Sequence, residues 1–292
     1  MRVLLTGSKG QAGTAVSLST PEWAELICCD HRTLDITEEG SVRGMLRDLK
    51  PEWIINAAAY TDVDRAETES RAAYEVNAEG TATLAAIAKE TGARLVHIST
   101  DFVFNGCSPE PMTPDRPADP LNVYGKSKRE GEVRIQKQLG EDGLVLRTSW
   151  LYFEDGRNFV KTMLHLMQSQ TVINVVDDQI GTPTWAGSLA NTIWACIAKE
   201  LSGTYHWRDA GTASWYDFAV AINDIAADIG LIDQTVDVQP ISTADYPTAA
   251  ERPRFVLLNI SATEDALVIR ARHWTCNLRK MLERLKATKI DA

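Results

Sequence analysis

The chain has 292 residues, of which 40 are acidic and 30 are basic, giving a formal charge of −10. This balance argues against a nucleic-acid-binding surface, which needs clustered positive charge, and no apolar run approaches the roughly 18 residues that a membrane-spanning helix requires. Because the apolar run at the start is also too short for a signal peptide, we expect a soluble, cytoplasmic protein with one large α/β domain and a smaller lobe.

Four short apolar runs in the first hundred residues predict strands, at 3–5, 26–29, 53–57 and 95–98. The intervals between them are long enough for helices, and the apolar spacing over 64–91 predicts one long helix or a broken one. Strands that alternate with helices form parallel βαβ units. The fold class that we expect is therefore α/β, with a doubly wound parallel sheet of the Rossmann type.

A glycine-rich segment with G-x-x-G-x-x-G spacing follows the first predicted strand and precedes a predicted helix. Such a turn brings backbone N–H groups close to a pyrophosphate, whose charge the helix dipole also stabilises. The alternative is an ordinary tight turn, but the position after the first strand favours a dinucleotide. The predicted contacts in this segment are Gly7, Lys9, Gly10, Gln11, Ala12 and Gly13.

The end of the second predicted strand carries signals for both nicotinamide cofactors. Asp30 lies where an acid binds the adenosine ribose hydroxyls, which favours NAD. Lys9 and Arg32 are placed to pair with a 2′-phosphate, which favours NADP, although both fit solvated surface charges equally well. We predict that NADPH is preferred and that NADH is also used.

Further cofactor contacts are expected after the second and third strands. Asp35 and Ile36 could contact the adenine, and small side chains after the third strand either admit the cofactor or simply allow close packing of a helix. The residues of this second group are Ala57, Ala58, Ala59 and Tyr60.

Two further apolar runs, 144–146 and 172–176, extend the predicted sheet to six or more strands. After residue 178, glycines and prolines separate short predicted helices near 185–200, 214–229 and 277–286. We therefore predict an NAD(P)-binding domain over 1–150, to whose sheet later segments return, and a smaller α/β substrate lobe mainly in 151–292.

A tyrosine and a lysine downstream of the fourth strand can carry out proton transfer. Tyr124 and Lys128 are four residues apart, so on a helix they share one face, and Thr100 ends the fourth strand. An ammonium about 4 Å from a phenol favours the phenolate by roughly 4 kcal/mol before desolvation is subtracted. We predict that Tyr124 is the general acid of a carbonyl reduction, that Lys128 lowers its pKa and holds the nicotinamide ribose, and that Thr100 orients the substrate oxygen.

No other catalytic arrangement competes with this one. The five cysteines lack C-x-x-C spacing and are expected to be reduced thiols, and the five histidines are scattered. His97 lies in an apolar strand and is interpreted as a hydrogen-bonded core histidine. No metal site is predicted, and neither a G-x-S-x-G elbow nor a Walker lysine motif is present.

In this order, the motifs resemble those of the extended short-chain dehydrogenases and, among them, of the dTDP-4-dehydrorhamnose reductase family. Several blocks in order are far more specific than any one of them, and the resemblance is strongest up to about residue 190. The blocks are VLLTG at 3–7, QAG at 11–13, LDIT at 34–37, NAAAYTDVDRAE at 56–67, VN at 76–77, STDFVFNG at 99–106, YGKSK at 124–128, RTSW at 147–150 and DQIGTPT at 178–184.

The resemblance implies reduction of the C4 ketone of dTDP-4-dehydro-L-rhamnose to dTDP-L-rhamnose. It implies that Thr100, Tyr124 and Lys128 form the catalytic triad and that Asn77 shapes the cofactor site. It also implies a sugar-nucleotide pocket with Thr61, Thr100, Val103, Trp150 and Asn158, although Trp150 fits a core aromatic equally well. A pyrophosphate also favours a guanidinium, for which Arg252 is the candidate, against the alternative of an exposed loop.

Departures from the family pattern leave some questions open. Thr14 and Ala15 offer no glutamate for a magnesium-linked dimer, so that dimer is not expected, and a monomer or another homodimer remains possible. Phe102 and Asn105 replace the common Tyr and Asp, and 252–259 follows the family only loosely. Two alternatives therefore stay open: a reductase of another nucleotide-linked keto-sugar, and a non-catalytic NADP-binding regulatory subunit. The intact triad favours catalysis.

Overall fold

The computed structural model describes residues 1–290. Its strands are, in chain order, β1 (Arg2–Thr6), β2 (Glu25–Cys29), β3 (Trp53–Asn56), β4 (Arg94–Thr100), β5 (Gly143–Thr148), β6 (Leu151–Tyr152), β7 (Val172–Val176), β8 (Ile180–Gly181), β9 (Thr184–Trp185), β10 (Gly203–His206), β11 (Ala213–Ser214) and β12 (Asp237–Ile241).

The helices alternate with the strands over most of the chain. They are α1 (Gln11–Leu18), α2 (Glu39–Leu49), α3 (Val63–Thr68), α4 (Ser70–Tyr74), α5 (Thr81–Thr91), α6 (Val123–Leu139), α7 (Phe159–Met167), α8 (Ala186–Ala198), α9 (Trp215–Asp228), α10 (Ser261–Leu267) and α11 (Trp274–Ile290). A π-helical segment, Glu75–Gly80, joins α4 to α5, and a 3₁₀ turn, Asp101–Val103, follows β4.

Six strands form one parallel sheet in the order β10-β5-β4-β3-β1-β2. The chain runs from β1 outward to β2, then returns to the other side of β1 and continues through β3, β4 and β5. Ligands of such open sheets bind outside the carboxyl ends of the strands, near the point where the order reverses. The predicted fold class, a doubly wound parallel α/β sheet, is confirmed.

Both faces of the sheet are covered, which explains why residues 3–5 of β1 and 53–55 of β3 are consecutive apolar residues. Side chains that alternate along β1 contribute to different cores: Val3 and Leu5 pack on the face that α1 and α8 cover, and Leu4 packs on the face that α2, α5 and α6 cover. This alternation follows from the two-residue period of a strand. The sheet is therefore the rigid support on which the loops at its carboxyl edge are held.

The prediction that 172–176 joins the main sheet is wrong. β7 pairs with β12 in a separate two-stranded sheet, and β10 is instead the sixth strand, beside β5. The burial pattern of β7 explains the difference. Val172 and Asn174 are exposed on one side of β7, whereas every residue of β5 is buried. An apolar run that is covered on one face only fits a small sheet packed on α9.

The predicted helix over 64–91 is a broken one, made of α3, α4, the π-helical segment and α5. Residues after 150 supply β10 to the sheet and α8 to one of its faces, beside α1. The division of the chain near residue 150 therefore stays a prediction. Within residues 1–290, no helix combines the length and the apolarity needed to cross a membrane.

Candidate active site

The glycine-rich turn after β1 fits a closely approaching backbone and a phosphate group. Gly7 has a φ of +67°, and a Cβ there would lie 2.5 Å from the Ala58 nitrogen. A Cβ on Gly13 would lie 2.2 Å from the Gly7 oxygen. Gly10 precedes α1 and gives no side-chain cap, so the first-turn N–H groups of the helix can face an anion.

A cavity of about 320 Å³ lies beside this turn. Most of the predicted cofactor contacts line it, namely Gly7, Lys9, Gly10, Asp30, Asp35, Ile36, Ala57, Ala58, Ala59 and Tyr60. His31, Leu34 and Val76 line it too, although the sequence analysis missed them; each is next to, or one residue removed from, a residue that was predicted. The remaining predicted contacts lie outside its lining: Gln11, Ala12, Gly13, Arg32, Asn77, Tyr124 and Lys128.

Lys9 and Asp30 form an ion pair at this cavity. The other Asp30 oxygen accepts the backbone N–H groups of Arg32 and Thr33, at 3.1 and 3.0 Å. The bond from Lys9, together with those from Thr33, holds the pKa of Asp30 far below its usual range. Lys9, which favours NADP, and Asp30, which favours NAD, are therefore paired with each other. The Arg32 side chain is exposed.

Asn77 joins the cofactor cavity to the helix that carries Tyr124. It is fully buried in the π-helical segment, its Oδ1 accepts the Tyr60 N–H at 2.9 Å, and its Nδ2 donates to the Tyr60 carbonyl and to the Ser127 hydroxyl, both at 3.0 Å. Asn77 thus acts on the cavity through Tyr60, which lines it. This geometry agrees with the shaping role that the resemblance implies.

Local capping places Tyr124 at the carboxyl end of β4. Asn122 caps α6 by accepting the Gly125 N–H at 2.8 Å, and Gly125 lies so close to the Phe102 carbonyl that a Cβ would be 2.2 Å from it. Burial raises the pKa of Tyr124 to about 12; the Thr100 hydroxyl lowers it, and the charge of Asp101 raises it further. The phenol is therefore protonated at neutral pH.

Lys128 lies one turn further along α6 and is 2% exposed. Its Nζ donates to the Ile98 carbonyl at 2.7 Å and lies 3.1 Å from His97 Nε2. Burial lowers the pKa of Lys128 to about 8, against the opposing effect of Glu132. Here burial dominates the pKa of Tyr124 and the amine is held by β4, so the effect of Lys128 on the pKa of Tyr124 stays a prediction.

A buried ion pair lies behind the triad. Glu132, on α6, accepts from Arg147 Nε and Nη2, both at 2.8 Å, and from the Ser99 hydroxyl at 2.6 Å. Burial alone would raise the pKa of Glu132, but Arg147, Ser99 and Arg129 outweigh it, so the pKa is lowered. The pair ties α6 to β4 and β5 directly beneath the catalytic residues.

A second cavity, of about 410 Å³, adjoins the 3₁₀ turn after β4. Trp150 lines it with a φ of +43° and stacks on Trp215 at a centroid distance of 3.7 Å. Phe159 packs against Trp215 from the side. The cavity is thus largely apolar and aromatic, with Asp101 at its catalytic end. Trp215 and Phe159 gave no signal in the sequence that would separate them from core aromatics.

Arg252 lies on the wall of this cavity, as does Asp64, with which it forms an ion pair. A neighbouring cavity of about 710 Å³ shares Arg252 and Tyr246 with the first. Tyr246 is another residue that the sequence analysis missed, because nothing in its local sequence indicates a ligand contact. Together the two cavities offer an elongated space that leads away from Asp101.

Four residues of the predicted sugar-nucleotide pocket, Thr100 among them, do not line either substrate-side cavity. Val103 is fully buried among Phe104, Met112, Val256 and Leu258. Asn158 caps α7, and its Nδ2 donates to Gln11 and to the Phe153 carbonyl. Thr61 is exposed and does not line either substrate-side cavity. The structure does not bring these residues together in one pocket, and their contacts with the substrate stay predictions.

Among residues 1–290, no group of three or more His, Cys, Asp or Glu side chains could hold a metal ion. The five cysteines are free thiols.

A dinucleotide-binding turn and a Tyr-x-x-x-Lys pair, with Tyr124 half-buried and Lys128 buried on α6, beside one doubly wound sheet define the class of extended short-chain dehydrogenases. A family model described as "RmlD substrate binding domain" matches residues 1–287. The chain is 39% identical to a dTDP-4-dehydrorhamnose reductase of Aggregatibacter actinomycetemcomitans, over 96% of this chain and 98% of that protein.

Two further comparisons concern the sugar and the cofactor. The chain is 36% identical to a dTDP-4-keto-6-deoxy-D-glucose reductase of Streptomyces niveus, over 98% of both chains. A crystal structure of the dTDP-4-dehydrorhamnose reductase from Bacillus anthracis, in complex with NADP, matches with a TM-score of 0.92 and 36% identity, over 97% of this chain and 99% of that chain. The chain belongs to the dTDP-4-dehydrorhamnose reductase family, which confirms the resemblance drawn from its motifs.

Proposed function

We propose that the protein reduces the C4 ketone of dTDP-4-dehydro-L-rhamnose to the alcohol of dTDP-L-rhamnose, with NADPH preferred and NADH also used. The observation that carries this proposal is the Tyr124 phenol, whose pKa burial raises to about 12 and which lies beside the Thr100 hydroxyl. Asp101 and Phe102, which follow Thr100, line the apolar cavity. Ketone reduction needs such a proton donor, since the new alkoxide must be neutralised.

The residues around the glycine turn fit a dinucleotide. The free first-turn N–H groups of α1 would bind its pyrophosphate, and Lys9 and Arg32 would face a 2′-phosphate while Asp30 faces the ribose. When bound, the dihydronicotinamide supplies a hydride to the ketone carbon. NADP in the related Bacillus anthracis structure supports this choice.

Tyr124 then donates its proton to the carbonyl oxygen, so that the C=O group becomes CH–OH and the phenol becomes a phenolate. Thr100 holds the same oxygen through its hydroxyl, which already lies against the phenol. A protonated Lys128, one turn away on the same helix, stabilises the phenolate until it regains a proton. Asp101 is fully buried, and burial raises its pKa to about 7, so it opposes the phenolate less than a full charge would.

The substrate-side cavities fit a deoxy sugar joined to a pyrophosphate. The stacked Trp150 and Trp215 present apolar surface, against which the methyl group and the C–H face of a 6-deoxyhexose can pack. Arg252 offers a planar guanidinium at the junction with the larger cavity, where a pyrophosphate accepts two hydrogen bonds. The nucleotide-sugar substrate is therefore assigned to this side.

A direct assay tests the proposal. NADPH absorbance is followed with dTDP-4-dehydro-L-rhamnose generated in situ, and the product is compared with dTDP-L-rhamnose by NMR. Tyr124→Phe, which removes only the hydroxyl, serves as the matched control. Wild-type turnover that the control lacks supports the reductase; cofactor binding without turnover on any keto-sugar supports the regulatory alternative.

A second substrate belongs in the same assay, because the Streptomyces niveus relative is named for dTDP-4-keto-6-deoxy-D-glucose. Faster turnover of that sugar would contradict the substrate proposed here while leaving the chemistry intact. The cytoplasmic location and the oligomeric state stay predictions.

A further inference from the structure

Four buried side chains form a hydrogen-bonded row that ends at the catalytic lysine. The Thr6 hydroxyl donates to Asn56 Oδ1 at 2.8 Å, Asn56 Nδ2 lies 3.0 Å from His97 Nδ1, and His97 Nε2 lies 3.1 Å from Lys128 Nζ. Thr6, Asn56 and His97 are each 0% exposed. The row crosses the sheet from β1 through β3 and β4 to α6, where Lys128 at its end is 2% exposed.

A backbone group fixes the orientation of the Asn56 amide. The Ala58 N–H, which can only donate, lies 3.1 Å from Asn56 Oδ1. The oxygen must therefore face Ala58, and the NH₂ group faces His97 Nδ1 and the Thr81 hydroxyl. Because an amide NH₂ has no acceptor, His97 Nδ1 must accept. A neutral His97 consequently carries its hydrogen on Nε2.

This tautomer directs an N–H group at the lysine nitrogen. An ammonium has three donors and no lone pair, so it cannot accept the Nε2–H. A neutral amine can accept it and still donate to the Ile98 carbonyl, 2.7 Å away. We propose that His97, oriented by Asn56, is a positioning residue that holds Lys128 on β4 as a neutral amine, and that proton binding at Nζ breaks this contact.

The proposed step is the protonation of Lys128 Nζ. The Nζ lone pair takes up a proton from solvent, the Nε2–H···Nζ bond is lost, and the ammonium keeps Ile98 as an acceptor. Its freed N–H groups can then turn toward the phenolate side of α6. This inference rests on the proposed function only for its catalytic consequence, since the tautomer and the contact exist in the protein by itself.

The ionisable groups near Lys128 come from every element packed around it. Tyr124 and Glu132 lie on α6 itself, His97 lies on β4, Asp101 follows β4, and Arg147 of β5 is already paired with Glu132. Burial keeps the pKa of His97 well below its usual value, so the ring stays neutral. Glu132 favours the ammonium, against burial.

The tautomer can be measured by NMR without substrate. In ¹⁵N-labelled wild-type protein, long-range ¹H–¹⁵N correlations distinguish a protonated from a bare imidazole nitrogen, and His97→Gln identifies the His97 signals. We expect a bare Nδ1 and a protonated Nε2 from pH 6 to pH 10, a range of about two units on either side of the lysine pKa of about 8. A protonated Nδ1, or a doubly protonated ring, would overturn the proposal.

Asn56→Asp tests the proposal directly, because it should reverse the tautomer of His97. A carboxylate of the same shape still accepts from Thr6 and Ala58 but also accepts from His97, which moves the hydrogen to Nδ1 and leaves Nε2 free to accept from an ammonium. The pH at which kcat/KM declines on the alkaline side should then rise by about one unit, the shift expected from one added hydrogen bond to a charged group.

Thr81→Val is the matched control, because it removes the other Asn56 contact, 3.4 Å long, without changing the tautomer. Its pH profile should match the wild type. An Asn56→Asp protein with the reversed tautomer but an unchanged alkaline limb would show that His97 has only a structural role. If no keto-sugar is turned over, the NMR result still decides the tautomer, so failure of the two proposals can be told apart.

Discussion

Arg252 and Asp64 are 188 residues apart in the chain yet form a two-point ion pair, with Nη1 2.7 Å from Oδ1 and Nη2 2.6 Å from Oδ2. Nη1 also donates to the Ala250 carbonyl at 2.7 Å. The bond from Arg252 keeps the pKa of Asp64 down at about 2, so the carboxylate is charged at every working pH. The pair sets the plane of the guanidinium at the cavity wall.

We expect Arg252→Lys to raise the KM for the sugar nucleotide by roughly tenfold, because lysine cannot make paired planar hydrogen bonds to a pyrophosphate. The KM for NADPH should not change, since Arg252 lies away from the cofactor cavity. Steady-state kinetics with each substrate varied in turn measures both values. Arg71→Lys, at a side chain 91% exposed, is the control. An unchanged sugar-nucleotide KM would remove Arg252 from the binding site.

Lys9→Ala should shift the cofactor preference from NADPH toward NADH. The substitution removes a cation from the 2′-phosphate side and also releases the Asp30 carboxylate from its ion pair, which repels a phosphate and binds a free ribose hydroxyl. We expect a rise of roughly tenfold in the NADPH KM, of the size of one charge-assisted bond, and an equal or lower NADH KM. If both values rise together, Lys9 instead acts on the shape of the turn.

Tyr124→Phe should lower kcat by about 10² to 10⁴, the usual contribution of a general acid, and leave NADPH affinity nearly unchanged. Because burial raises the pKa of Tyr124 to about 12, the wild-type acid stays protonated across the neutral range.

The alkaline decline of kcat/KM should therefore come from Lys128, whose burial lowers its pKa to about 8. The sign follows from the charge: above that pH the amine is neutral and no longer stabilises the phenolate. A profile that is flat to pH 10 would contradict this assignment; the measurement is kcat/KM from pH 6 to pH 10, a range set around the pKa of about 8.

Glu132→Gln should destabilise the protein by roughly 3 to 5 kcal/mol, because it leaves the Arg147 guanidinium buried without its counter-charge. Side chains of both residues are almost inaccessible, at 0% and 2%. Glu130→Gln, on the same helix but with a half-exposed pair to Arg134, should cost no more than about 1 kcal/mol. Urea unfolding of the three proteins measures the difference, and equal costs would show that the buried pair adds nothing.

The Glu132 carboxylate also makes the free energy of unfolding depend on pH. Its pKa is lower in the folded protein than in the unfolded chain, so its contribution is complete above the ordinary glutamate pKa and is lost as the pH falls through the lower, folded value. The wild type should thus lose stability below about pH 4.5, the ordinary glutamate value, and Glu132→Gln should lose less over that interval.

Local sequence patterns predicted the parts of the site that depend on local geometry. The spacing of Gly7, Gly10 and Gly13 predicted the turn because Gly10 and Gly13 pack on the Gly7 carbonyl within the same segment. The i, i+4 relation of Tyr124 and Lys128 on one helix needed only the period of an α-helix. His97 was correctly interpreted as a hydrogen-bonded core residue, and both of its ring nitrogens are bonded.

Long-range relationships could not be predicted in the same way. The partners of His97 are 41 residues before it and 31 residues after it, so no pattern in β4 reveals that Lys128 is held there rather than at Tyr124. The sheet assignment of 172–176 failed for a related reason. An apolar run indicates burial, but the strand beside which it lies depends on a later segment, here β12.

The three bonds of Asn77 have a mechanical consequence. They link the backbone of Tyr60, which lines the cofactor cavity, to Ser127 of α6, the helix that carries Tyr124. The wall of the cofactor cavity and the proton donor are therefore held as one unit. A movement of the sugar side relative to this unit would then involve elements such as α9, whose Trp215 stacks on Trp150.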